Sequence, residues 1–236
     1  MSESSESETS TRRPESRKSL KEQNLWQLWI IVAVNSLLLY GVVHTDAIRI
    51  NELDSFFKDP EKLVPVGVAA LIATVLNGVL SPDMKARLVF LRWMHALPGH
   101  RAFSQYAAID SRIGRAALRK TVGKALPRDP FEQNRMWYKL YKTVEKEPAV
   151  NQAHRDYLLL RDYSALSALF LVFFGAVSLY AMASLKTLGL YFVFLLAQFL
   201  IVRLAASNYG IRFVTTVLAQ VSCLKSSSRA AKKQTT

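Results

Sequence analysis

Four stretches of this chain, residues 25–44, 63–80, 163–185 and 188–206, hold one charged side chain between them, Arg203. A bilayer core about 30 Å thick is crossed by roughly 20 mostly apolar residues in a helix. The rival fold for such runs is a large soluble core. It needs more surrounding protein than a chain of 236 residues can wrap around four buried helices. The first run opens on Trp26 and Trp29, placed where indoles prefer to sit as interface anchors. The second is closed by Ser81-Pro82, a stop or kink. A short link holding Lys186 separates the last two, which predicts a tight antiparallel hairpin. The expected fold is all-α: a polytopic membrane protein with four transmembrane helices in two hairpins.

Whole-chain averages conceal this division. Half of the residues are apolar, 21% are charged and the mean hydropathy is +0.11, because 31 basic and 18 acidic residues crowd between the runs. A single cysteine, Cys223, cannot pair within the chain, so a disulfide scaffold is excluded. Residues 1–24 begin with a Ser/Glu-rich stretch and lack the basic n-region and small-residue cleavage site of a secretory signal. They read as a solvated, disordered tail.

The basic residues give a direction. Arg12, Arg13, Arg17, Lys18 and Lys21 precede the first run. The link after it holds Arg49, Lys58 and Lys62 against five acids, while residues 83–162 hold sixteen basic residues against eight acids. Lys186 stands alone in the second link, and six basic residues with no acid run from Arg203 to the end. Rich and poor segments alternate, so both termini and the segment 83–162 are expected in the cytoplasm.

That central segment reads as a basic helical module. Residues 83–97 continue the second run at helical spacing until Pro98-Gly99. Asp110 caps an expected helix over 111–126, stopped by Pro127. Asp129-Pro130-Phe131-Glu132 starts another over 131–147. Pro148 opens a last helix that runs unbroken into the third span. Residues 207–224 carry Ile211, Val214, Leu218 and Val221 every three or four positions, as an interfacial helix on the inner leaflet or docked on the module would. The expected units are the tail 1–24, hairpins 25–82 and 163–206 around the module 83–162, and an interfacial helix with basic tail over 207–236.

No catalytic set stands out. His95, His100 and His154 lack the partners of a metal site, and no cofactor motif or nucleophile triad is present. His154, Arg155, Asp156, Arg161 and Asp162 form a polar cluster leading into the third span. Adjacent helical residues diverge by about 100°, so neither Arg-Asp doublet is expected to pair within itself. Mid-span amides Asn35, Asn77 and Gln198 suit interhelical hydrogen bonds or the lining of a polar path. Ala70, Thr74 and Gly78 give a small-residue packing face. Arg203 lies near enough to the interface to snorkel as an anchor. Trp137, Tyr138 and Tyr141 among basic residues would allow nucleic-acid stacking, but the positive-inside rule and attraction to anionic lipid account for the charge without it.

The function expected from these features is a non-enzymatic integral membrane protein. It would be a homo-oligomeric or partner-bound effector, scaffold or channel-like component with a cytoplasmic sensing or docking module. The alternatives are a transporter of a small polar or amphipathic solute, and a membrane-embedded enzyme using His95, His100 and His154 at the inner interface.

Overall fold

The computed structural model describes residues 19–44, 60–123 and 125–234. Among these, every regular element is helical: α1 (Leu20–Gln23), α2 (Leu25–His44), α3 (Pro60–Val79), α4 (Pro82–Phe90), α5 (Ala107–Ile109), α6 (Arg115–Val122), α7 (Pro130–Val144), α8 (Pro148–Ala181) and α9 (Leu185–Gln234). A 3₁₀ turn at Pro98–Arg101 and a π-helical turn at Ala102–Tyr106 link α4 to α5. The expected tail and the first inter-span link fall largely outside the described residues.

Three segments are long and apolar enough to cross a membrane: Leu25–Val43, Pro148–Ala181 and Leu185–Leu224. Val64–Val79 joins them when taken together with Pro82–Phe90, from which it is bent by 106°. The bend is local chemistry. Pro82 has no N–H to continue a ladder and starts a new helix instead. Ser81 Oγ caps that helix by accepting from the Met84 N–H at 3.2 Å.

The apolar half is built around α8, which packs against α9 most extensively and also against α3, α4 and α2. Small residues let the neighbours come close: Ser164, Ala165, Ser167, Gly175 and Ser178 on α8 are all buried. Two of the hydroxyls donate back to their own helix, Ser167 to Ser164 O at 2.9 Å and Ser178 to Gly175 O at 2.7 Å. Leu39, Leu166, Phe170, Phe174 and Leu195 fill the interior. Between apolar helices in lipid, close packing rather than water exclusion supplies the attraction. On α3 the buried row is Val66, Ala69, Ala73 and Asn77; Ala70 and Thr74 are half-buried and Gly78 is exposed.

A second core lies beyond the first. Leu118, Trp137, Leu140, Val144 and Val150 close on Phe213, Val214, Val217, Leu218 and Val221 of α9. Of the two placements expected for residues 207–224, the structure shows the docked one, without a break from the helix before it. They continue α9 and dock on the residues between α4 and α8. At 1.5 Å per residue, the 34 residues of α8 span about 51 Å and the 50 of α9 about 75 Å.

Several boundaries differ from expectation. The helix expected over 83–97 ends at Phe90, where Leu91 takes a left-handed conformation (φ 47°) and His95 another (φ 51°). Asp110 caps no helix: its carboxylate accepts from the Arg112 N–H and grips the Arg112 guanidinium, forming a local turn. The helix after it starts at Arg115 and stops at Val122, one residue before left-handed Gly123. The third apolar helix ends at Ala181, and residues 182–184 make the link, so Lys186 sits in the first turn of α9. The start of α7 is as expected, with Asp129 Oδ1 accepting from the Glu132 N–H at 3.0 Å and Pro130 in the first position.

Candidate functional site

α2 and α9 both lean on α8 and leave a cleft of about 490 Å³ between them. Ile30, Val34, Asn35 and Leu38 of α2 face Phe194, Ala197, Gln198 and Ile201 of α9 across it, with Tyr163 of α8 between. A second space of about 300 Å³ shares Leu38 and Phe194 and extends the groove to Val42, Thr187 and Tyr191. The walls are apolar except where the amides stand. Asn35, 3% exposed, donates Nδ2–H to Ile31 O at 2.8 Å, and its Oδ1 has no hydrogen-bond partner among the described residues. Gln198 donates Nε2–H to the Tyr163 hydroxyl at 3.0 Å, and its Oε1 likewise lacks a donor. An acceptor left unpaired in such surroundings costs about 1–3 kcal/mol.

Asn77, by contrast, lies on the buried face of α3 and does not line this cleft, although its Oδ1 is also unpaired. Trp26 and Trp29 stand exposed on the first turns of α2. Arg203 has a partner in the protein: its Nε–H donates to Val89 O at 3.1 Å, satisfying a carbonyl at the end of α4. It ties α9 to the bent segment.

The expected polar cluster resolves into separate contacts. Asp162 accepts from Lys85 Nζ at 2.9 Å and from Arg161 Nη2 at 3.1 Å, with the Lys85 and Asp162 side chains each 3% exposed. The Arg161-Asp162 doublet does pair, contrary to expectation, because the long guanidinium arm folds back over its own helix to reach a carboxylate fixed by Lys85. Lys85, 77 positions earlier in the chain, has no sequence signal that marks this partnership. Arg155 instead exchanges hydrogen bonds with Asn24, a residue sequence reasoning overlooked: Asn24 Nδ2–H donates to Arg155 O at 2.8 Å and Arg155 Nε–H to Asn24 Oδ1 at 3.2 Å. Asp156 accepts from Gln152 at 2.7 Å.

The histidines do not converge. His95 and His100 lie with ring centres 5.3 Å apart, both edge-on to Phe131, and His100 Nδ1–H donates to Pro130 O at 2.9 Å. His154 stacks on Phe213 at 4.5 Å and pairs through Nδ1 with the Tyr141 hydroxyl at 3.1 Å. Among the described residues, no group of three or more His, Cys, Asp or Glu is placed to hold a metal ion. Burial, aided by the charges of Arg161 and Lys142, pushes the His154 pKa down to about 4 from 6.5. The unfolded chain takes this proton near pH 6.5 and the folded one only near 4. The stability contributed by neutral His154 is therefore complete above about 6.5 and is lost as the pH falls toward 4. Thermal melts of the wild type and His154→Phe at pH 7.5 and 4.5 check this. The wild type should lose more on acidification, and parallel losses would contradict it.

Comparison with protein-family models, curated proteins and solved structures finds no match.

Proposed function

We propose that the chain is a non-enzymatic integral membrane protein, an oligomeric effector, scaffold or channel-like component with a cytoplasmic helical module for sensing or docking. The observation that carries this reading is the continuity of α8 and α9. Each passes from the apolar bundle into the second core without a break, so displacement of the bundle reaches the module through helix rather than linker. Basic residues concentrated around that core support the orientation. So do the contacts Asn24–Arg155, Lys85–Asp162 and Arg203–Val89, which hold one end of each apolar segment beside it. With Cys223 replaced by serine, single cysteines at Ser55 or Thr187 should react with an impermeant reagent from outside intact cells. Those at Ser5, Ser111 or Ser227 should not, and labelling at Ser111 overturns the arrangement.

The shared cleft of Asn35 and Gln198 favours a second reading, transport of a small polar or amphipathic solute. One variant separates the two. Asn35→Leu with Gln198→Leu removes both unpaired oxygens. If they bind a neighbouring copy, native mass measurement shows the oligomer dissociating. If they take a solute, the oligomer persists and liposome flux of glycerol falls at least tenfold. A wild type that is monomeric and carries no flux sinks both.

A further inference from the structure

We propose that loop 91–94 is a membrane-interface anchor: Leu91, Trp93 and Met94 enter the headgroup boundary of the leaflet on the module's side, with Arg92 among the lipid phosphates. This anchor rests on the membrane reading above and gives the module its own point of attachment.

The loop exposes side chains that a folded surface normally covers. Trp93 is 82% exposed and Met94 71%, and Leu91 and Arg92 beside them are exposed as well. Its backbone is held at both ends. The buried Arg101 lies with its guanidinium 5.2 Å over the Phe90 ring, and its Nη1–H donates to His95 O at 3.3 Å. Leu91 and His95, both left-handed, turn the chain at the same two points. The four side chains between are thereby presented outward together.

Height along the bundle identifies what meets them. Asn24 bonds to Arg155, which sets the start of α2 beside that level of α8. Phe90 and Tyr157 converge over Gly210 of α9, where a Cβ would lie 2.9 and 2.8 Å from their rings. Since Tyr157 is two positions past Arg155, α4 ends at the level where α2 begins. There α2 exposes Trp26 and Trp29. Trp93 stays close to α4, because Arg87 lies over its ring at 5.5 Å. Exposed tryptophans from two separate segments at one height mark the band where indoles settle between lipid and water. The 106° bend agrees with this. The 20 residues of α3 cover about 30 Å unaided, so α4 can run along the bilayer surface instead of through it.

Charge and area favour lipid over a protein partner. Arg87 is paired with Asp83 at 2.8 Å, whereas Arg92 has no ion-pair partner among the described residues. Its stem can lie along the apolar neighbours while the guanidinium reaches phosphate. Four side chains cannot supply the roughly 800 Å² a side that a stable protein interface buries. A bilayer needs no such area to accept a small wedge beside helices that already cross it.

The test uses the full chain with Cys223→Ser, reconstituted in vesicles of phosphatidylcholine and phosphatidylglycerol. Nitroxide labels are placed one at a time through Met94→Cys, Val193→Cys and Lys120→Cys, all at exposed positions. Collision with oxygen, which concentrates in acyl chains, is compared with collision with a water-soluble nickel chelate present on both sides. Oxygen should dominate at Val193 on the apolar face of α9, and nickel at Lys120 on α6. Met94 should side with Val193, as a group about 5–10 Å into the headgroup boundary does. Leu91→Cys replaces Met94→Cys should the latter not fold. Arg92→Glu, which opposes the lipid charge, should lower the oxygen-to-nickel ratio at Met94 about twofold or more. Nickel dominance at Met94 with oxygen dominance at Val193 overturns the anchor alone. Nickel dominance at both overturns the membrane reading with it. Weak collision with either reagent at Met94, the mark of a covering protein, also overturns the anchor, as does an unchanged ratio in Arg92→Glu.

Discussion

Replacing Asp162 with alanine should destabilise the protein by about 3–5 kcal/mol, the usual loss when one partner of a buried ion pair is removed. Among the described residues, the carboxylate is the one group at hydrogen-bond distance from the Lys85 ammonium, in a site where both side chains are 3% exposed. Without it, a buried charge keeps its desolvation penalty and loses its attraction. Arg161 suffers less, since its side chain is 12% exposed and can swing outward. The pair also clamps α4 to α8 just past the 106° bend, so its loss should free the bent segment. Thermal melting in detergent gives the measurement. Lys85→Met combined with Asp162→Leu should restore most of the stability, because an apolar pair of similar volume carries no desolvation cost. If Asp162→Ala melts like the wild type, the pair is not buried as described.

Phe213→Ala should have a comparable effect, about 3–5 kcal/mol, as expected for deleting a fully packed phenyl ring. The ring is 4% exposed and touches side chains from two other helices: Trp137 and Tyr141 on α7, and His154 and Tyr157 on α8. Its own backbone belongs to α9, so one side chain joins all three helices. The damage should be local. Limited proteolysis should open sites between residues 91 and 157 in the variant while the apolar bundle stays protected. Phe213→Leu should recover part of the loss. Cleavage that spreads equally into α2 and α3 would show the two cores to be one cooperative unit.

What sequence reading could reach depends on where the information is stored. The apolar segment at residues 25–44 coincides with α2 because twenty uncharged residues announce themselves without reference to anything else. Asp129-Pro130 and Pro148 were equally legible, since an N-cap and a proline act on their own backbone. The end of α4 was not. No glycine or proline stands at Leu91, and its left-handed backbone is tolerated in the folded surroundings, where Arg203 satisfies the neighbouring Val89 carbonyl from 114 positions away. Asn35 and Gln198 were visible as mid-span amides, but whether they share a cleft depends on how each helix is rotated. That rotation placed Asn77 on another face. The small residues of α8 carry no such signal, because Ser164, Ser167, Gly175 and Ser178 lie scattered in an apolar run without a regular four-residue repeat.

The dependence of the second core on Phe213 through Val221 also sets an order of events during synthesis. Chains emerge from the N-terminus, and domains usually fold as they appear. Here residues 102–157 are made early, yet the face they must bury against belongs to the last helix of the chain. Two segments long and apolar enough to cross a membrane are made before that face is complete. Until then Trp137, Leu140 and Val144 lack the α9 side of their core, and the nascent protein presents an open apolar surface. Completion of this core is thereby made conditional on the placement of α9 beside α7 and α8. A chain in which α9 fails to dock keeps that surface open, and remains recognisable to chaperones and proteases as incomplete.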